Sequence, residues 1–135
     1  EIAGYTIGND MSSRSIEGEN PLYLPQAKVY NKSFSLGPCI VSKDEIEDPQ
    51  NLKVELSITR KENIVFQGES STSEMKRNVY ELVEWLQKSN DLPQDAVLMT
   101  GTGIIPPQDF TLKEGDIVSI SIEKIGTLTN KIVLV

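Results

Sequence analysis

Residues 52–66 have the clearest hydrophobic pattern in the chain. Apolar residues occupy alternate positions from 52 to 58 (LKVELSI), and the alternation resumes at Ile64 and Phe66 after the polar residues 61–63 (KEN). A period of two places apolar side chains on one face of a strand, and a short polar break between two such runs is typical of a turn. The pattern therefore predicts a β-hairpin with one buried face.

A helical period occurs over residues 78–89. The four residues 78–81 (NVYE) resemble a capping box, in which an N-terminal polar side chain binds a backbone N–H one turn later. Asn90 and Pro93 follow and are typical of a helix end. We therefore predict one main helix near 78–89, with four apolar residues on its inner face: Val79, Leu82, Val83 and Leu86.

Shorter apolar runs predict the other strands, at 2–8, 38–42, 95–100, 118–122 and once or twice within 125–135. Residues 11–37 have little periodicity and several prolines, glycines and asparagines, so we expect a long ordered loop there, of the kind that often carries function. About seven strands and one helix define a β-rich α+β domain.

Composition excludes some kinds of catalytic and binding site. The chain has 135 residues, 13 basic and 20 acidic side chains, a net charge of −7, one cysteine and no histidine. Histidine-dependent triads and histidine-ligated zinc within this chain are excluded, and an acidic chain is a poor partner for nucleic acid. No apolar run approaches the ~20 residues of a membrane span, so a cytoplasmic location is expected. The chain begins at Glu1, already inside a strand pattern, so we expect a fragment of a longer protein.

Several polar residues could carry chemistry. Asp10 follows an apolar strand; a turn or helix-capping role is common for such a residue, and the alternative is a ligand for a hard divalent cation. Lys28 and Lys32 lie in the long loop, either facing solvent or neutralising a substrate carboxylate. Residues 100–103 (TGTG), with Thr102, suit anion binding through N–H and hydroxyl donors. Arg14 is expected in a structural ion pair, and Cys39 as a core thiol.

Motifs spread along the whole chain resemble the fumarylacetoacetate hydrolase (FAH) family. They occur in the family's order, at residues 4–14 (GYTIGNDMSSR), 36–38 (LGP), 48–52 (DPQNL), 100–102 (TGT), 112–116 (LKEGD) and 125–128 (IGTL). Residues 19–28 (ENPLYLPQAK) resemble the branch of the family that dehydrates sugar acids. The resemblance implies a mixed β-sandwich roll, a homodimer and one FAH-like catalytic domain over 1–135.

The resemblance also implies site roles. Asp10 matches an aspartate that binds Mg²⁺ (Mn²⁺ or Ca²⁺ are possible), and the two further carboxylates of that site are expected upstream of Glu1. Lys28 matches the active-site lysine of the dehydratase branch, whereas Lys32 stands where the hydrolase branch has its lysine, so which lysine acts stays open. Thr102 matches the threonine that binds the substrate carboxylate.

Three hypotheses follow. The first is a Mg²⁺-dependent lyase that dehydrates a 2-keto-3-deoxy sugar acid, such as 2-keto-3-deoxy-D-arabinonate, to 2,5-dioxopentanoate. The second is a Mg²⁺-dependent hydrolase, decarboxylase or isomerase of acylpyruvate-type 2-oxo acids. The third is a non-catalytic binding domain. In the first two hypotheses the ligand is a small anion, which the negative net charge of the chain would repel. Its binding is therefore expected to depend on the metal and on Lys28, Lys32 and Thr102.

Overall fold

The computed structural model describes residues 1–93 and 95–135. The strands in these residues are β1 (Gly4–Asp10), β2 (Phe34–Ser42), β3 (Lys53–Arg60), β4 (Asn63–Ser71), β5 (Ile117–Ile122) and β6 (Gly126–Lys131). The α-helices are α1 (Arg14–Glu19) and α2 (Val79–Gln87), and short 3₁₀ helices cover Pro21–Tyr23, Lys43–Glu45 and Thr72–Glu74. The β-rich α+β class is confirmed.

The strands form two antiparallel sheets. β1 pairs with β2, and the second sheet has the order β4-β3-β5-β6. The predicted hairpin is confirmed as β3 and β4, with Ile58 opposite Phe66. Leu56 pairs with Ile120 of β5 on the other side of β3. The apolar positions of the period-two pattern therefore extend across the centre of this sheet.

The core joins the two sheets. Its buried side chains come from β1, from the connection between β2 and β3, and from the end of the chain: Ile7, Ile46, Leu52, Ile125 and Leu128. Tyr5, Val41, Ile120 and Ile122 pack against them. Burial of each such side chain stabilises the fold by roughly 1.5–3 kcal/mol. Together these contacts hold β1 against the larger sheet.

The predicted main helix is confirmed as α2, with a slightly earlier end. The Asn78 side chain accepts a hydrogen bond from the Glu81 N–H at 2.8 Å, as the capping pattern predicts. The strand predicted at 95–100 is wrong, because these residues have no ladder partner and run as irregular backbone. The loop predicted at 11–37 is also partly wrong, since it contains α1 and a 3₁₀ helix and gives way to β2 at Phe34.

In the ranges that the structure describes, no helix is both long and apolar enough to cross a lipid bilayer.

Candidate active site

Asp10 is the last residue of β1, and strand alternation sets the direction of its side chain. Ile7 and Asn9 are buried on the core face, where the Asn9 amide donates to Asn130 Oδ1 at 3.0 Å. Successive side chains point to opposite faces of a strand, so Gly8 and Asp10 share the other face. The Asp10 carboxylate therefore projects away from the core, and its side chain is 31% exposed.

Lys28 is held beside the end of β1 by backbone contacts. Ala27 is fully buried, and its carbonyl accepts a hydrogen bond from the Ser13 N–H at 2.8 Å. The Lys28 carbonyl accepts a hydrogen bond from Ser33 Oγ at 2.7 Å. The long loop is thus folded back onto the segment that follows β1, which places Lys28 next to Asp10.

The Lys28 ammonium forms a close ion pair with Asp10. Its Nζ lies 2.7 Å from Asp10 Oδ2 and also donates to Ser12 Oγ at 2.6 Å. The hydrogen bond to Asp10 raises the pKa of Lys28 above its ordinary value, and the charge of Glu17 adds to that rise. Lys28 is therefore a cation at neutral pH in this arrangement, suited to binding an anion rather than to accepting a proton.

Two residues of this cluster were not found from the sequence. Ser12 accepts the hydrogen bond from Lys28, and Glu17 Oε1 lies 3.6 Å from the Lys28 ammonium. Glu17 is one of 20 acidic residues and lies on α1, which the irregular pattern of residues 11–37 conceals. Only the position of Ser12, two residues after Asp10 within the family motif, offered a signal.

Thr102 lies on an irregular segment that covers the same face of β1 as Asp10. Met99 packs directly over Gly8: a Cβ at Gly8 would lie 2.5 Å from Met99 Sδ, so a larger residue at position 8 would displace the end of the methionine side chain. Thr102 itself is exposed, and its Oγ1 accepts a hydrogen bond from the Ile104 N–H at 3.1 Å. Its hydroxyl proton is thus left to donate to an anion.

Arg14 joins this segment to α1. Its Nη1 donates to the carbonyl of Pro106 and, at 3.3 Å, to that of Pro107. The expected ion pair of Arg14 is wrong for the part of the chain that the structure describes, because the partners there are these two carbonyls. α1 thus contacts the Lys28 cluster through Glu17 and the Thr102 segment through Arg14.

We expect Arg14→Met to loosen the Thr102 segment without unfolding the protein. Hydrogen exchange at Ile104 and Phe110, whose N–H groups are bonded within the segment, should accelerate about tenfold, since the segment loses its charged hydrogen bonds. Arg77→Met is the matched control, because among the described residues Arg77, which precedes α2, forms only an exposed ion pair, with Glu81 of that helix. Unchanged exchange in Arg14→Met would show that Arg14 does not restrain the segment.

Lys32 lies apart from the ion pair. It is exposed, has a left-handed backbone with φ of 59°, and lines a groove of about 650 Å³. The groove borders the cluster at Ser12, and its other wall includes Asn130, Lys131 and the end of the chain. The structure therefore brings Asp10 and Lys28 together and leaves Lys32 on a neighbouring surface.

The residues present supply part of a divalent-cation site. Asp10 offers a hard carboxylate oxygen of the kind that Mg²⁺ prefers. The Lys28 ammonium already lies against this oxygen, so the position accommodates positive charge. In residues 1–93 and 95–135, no three acidic, histidine or cysteine side chains lie close enough together to hold a metal ion. The described residues therefore offer Asp10 as one carboxylate ligand for such a metal and do not by themselves assemble a set of three.

The domain thus has two antiparallel sheets and a carboxylate at the end of β1 that is paired with the lysine of the long loop. The model of the fumarylacetoacetate hydrolase C-terminal family matches residues 1–133, and the chain belongs to that family.

Similar proteins include sugar-acid dehydratases. A probable 2-keto-3-deoxyxylonate dehydratase of Haloferax volcanii is 52% identical over all of this chain and 47% of its own length. A 2-dehydro-3-deoxy-D-arabinonate dehydratase of Saccharolobus solfataricus is 45% identical over 95% of this chain and 43% of its own. A solved structure of a 2-keto-3-deoxy-D-arabinonate dehydratase, complexed with magnesium and 2,5-dioxopentanoate, has a TM-score of 0.92 at 44% identity. It aligns with 95% of this chain and 46% of that one. This chain therefore spans about half the length of the relatives that it matches.

Proposed function

We propose that the intact protein is a Mg²⁺-dependent hydro-lyase that dehydrates a 2-keto-3-deoxy sugar acid. The observation that carries this proposal is the Asp10–Lys28 pair, 2.7 Å apart, at the end of β1. The similarity to two dehydratases of this class, over 100% and 95% of the chain, supports it. The substrate is expected to be 2-keto-3-deoxy-D-arabinonate or a close analogue, with 2,5-dioxopentanoate as product.

Dehydration of such an acid transfers a proton from C3 to a base and expels the hydroxyl group of C4, which leaves as water after it is protonated, and the product then rearranges to a dioxo acid. A divalent cation held in part by Asp10 would supply positive charge that stabilises the enolate. Lys28, whose ammonium lies beside Asp10, Ser12 and Glu17, attracts the anionic substrate and can donate a proton to the leaving hydroxyl. Thr102 donates a hydrogen bond to the substrate carboxylate.

Lys28, rather than Lys32, is the acting lysine. Lys28 contacts Asp10 directly, whereas Lys32 is exposed in the neighbouring groove. Among the described residues, no comparable contact favours either alternative function, cleavage or isomerisation of acylpyruvate-type acids or simple ligand binding. A cytoplasmic homodimer is also part of the proposal. Large exposed apolar side chains that a partner subunit would cover support the dimer: Leu22, Val29, Ile40 and Leu134.

We expect the intact protein with Mg²⁺ to form 2,5-dioxopentanoate from 2-keto-3-deoxy-D-arabinonate, followed as the appearance of the aldehyde. Lys28→Met should lower kcat/KM by about 10²–10³-fold, because it removes a proton donor and a charge from the site. Lys32→Met is the matched control and should change kcat/KM by less than about threefold.

Other outcomes separate the alternatives. Release of pyruvate from acetylpyruvate, with no dehydration, would favour the hydrolase. An effect confined to Lys32→Met would reassign the lysine. Binding of a 2-oxo acid without turnover of any of these substrates would indicate a binding domain.

A further inference from the structure

The Lys28 ammonium has two carboxylates beside it, and the proposed function uses only one. Asp10 Oδ2 lies at hydrogen-bond distance, 2.7 Å, and Glu17 Oε1 lies farther from the nitrogen, at 3.6 Å. Ser12 Oγ completes the set at 2.6 Å. The side chains of Asp10 and Glu17 are equally exposed, each at 31%. One ammonium group is thus shared unequally between two negative groups.

Glu17 is held by secondary structure rather than by the ion pair. It lies in α1, and its N–H donates to the Ser13 carbonyl at 3.0 Å. α1 is also attached through Arg14 to the carbonyls of Pro106 and Pro107. The backbone that carries the Glu17 carboxylate is therefore held in place. A small movement of the flexible Lys28 side chain is then enough to bring its ammonium into hydrogen-bond range of Glu17.

We propose that Glu17 is a positioning residue that receives the Lys28 ammonium when a divalent cation binds to Asp10. This inference rests on the proposed function, in which Asp10 is a metal ligand. A cation on Asp10 repels the neighbouring ammonium and occupies its closest partner. Glu17 and Ser12 then hold Lys28 within the site, at the edge where an anionic substrate would enter. Without Glu17, Lys28 stays on Asp10 and opposes the incoming metal.

A double-mutant cycle on the intact protein tests the inference by calorimetric titration with Mg²⁺. Glu17→Gln should weaken the Mg²⁺ affinity roughly tenfold when Lys28 is present. In the Lys28→Met background the same change should weaken it less than about twofold, because there is no ammonium to relocate. Glu19→Gln, an exposed carboxylate of the same helix, is the matched control and should leave the affinity unchanged. The free energy of unfolding of each variant confirms that it is folded.

Each other outcome overturns the inference. An equal effect of Glu17→Gln in both backgrounds would show that Glu17 acts on the metal directly, and no effect in either would show that it plays no part. Asp10→Asn separates this failure from that of the proposed function. If Asp10→Asn weakens Mg²⁺ binding and Glu17→Gln does not, only the role of Glu17 fails. If Asp10→Asn has no effect, or the wild-type protein binds no Mg²⁺, the metal role of Asp10 fails and the inference fails with it.

Discussion

Asp10→Asn in the intact protein should lower kcat/KM for the sugar acid by about 10³-fold or more. An amide keeps the shape of the side chain but carries no charge, so it is a weak ligand for Mg²⁺ and a weak partner for the Lys28 ammonium. The fold should survive, because the Asp10–Lys28 pair is about one-third exposed and such pairs contribute at most about 1 kcal/mol to stability. The measurement is turnover at saturating Mg²⁺, with urea unfolding as the test of folding.

The matched control for this prediction is Asp91→Asn, which changes an exposed aspartate of the same charge outside the site. It should leave both turnover and stability unchanged. Turnover of Asp10→Asn within tenfold of the wild-type protein, at equal stability, would contradict a role for Asp10 as metal ligand. It would also remove the observation on which the dehydratase proposal depends.

The parts of the fold that the sequence predicted correctly are those with a strong local period. The hairpin of β3 and β4 followed from alternation between 52 and 66, and α2 from a 3.6-residue period with Asn78 as its cap. Both patterns arise because one face of the element is buried, so that apolar residues recur at the period of the strand or helix. The position of Asp10 at the end of an apolar strand was visible for the same reason.

The parts that were missed depend on contacts between distant residues. The strand expected at 95–100 fails because Met99 packs on Gly8 instead of joining a sheet. Cys39 was expected in the core, but it is exposed, because β2 belongs to a two-stranded sheet and its apolar run is covered only in part. Neither the Gly8–Met99 contact nor the number of strands in a sheet produces a periodic pattern in the local sequence.

The candidate site shows the same division. The pairing of Lys28 rather than Lys32 with Asp10 depends on Ala27 being buried and on the hydrogen bond between Ser13 and Ala27. Both lysines lie in a segment without periodicity, so their order in the chain did not distinguish them. Glu17 was hidden for a further reason, since a helix of six residues is too short to give a recognisable period.

Asp116 anchors the far end of the domain through a buried ion pair. Its side chain is 1% exposed and accepts two hydrogen bonds from Arg60, each at 2.8 Å, together with one from the Lys113 N–H at 2.8 Å. Arg60 also donates to the Thr111 carbonyl at 3.0 Å. The pair therefore attaches the turn before β5 to the end of β3.

We expect Asp116→Ala to lower the free energy of unfolding by about 3 kcal/mol at pH 7, measured by urea titration. The substitution leaves the partly buried Arg60 guanidinium and the Lys113 N–H without their acceptor. Arg60→Met combined with Asp116→Leu should cost less than Asp116→Ala alone, because no charge is then left unpaired. Equal losses in the single and double variants would show that packing, and not the ion pair, stabilises this end of the domain.

The same pair predicts a loss of stability in acid. The hydrogen bonds from Arg60 lower the pKa of Asp116 below its ordinary value in the folded protein, so the unfolded chain binds a proton first as the pH falls. The contribution of Asp116 is therefore fully present above about pH 4, the ordinary carboxyl range, and is lost as the pH falls through the depressed pKa. Asp116→Asn should be less stable at pH 7 and should lose less of its remaining stability between pH 5 and pH 2. Parallel acid profiles for Asp116→Asn and the wild-type protein would assign the acid sensitivity to other carboxylates.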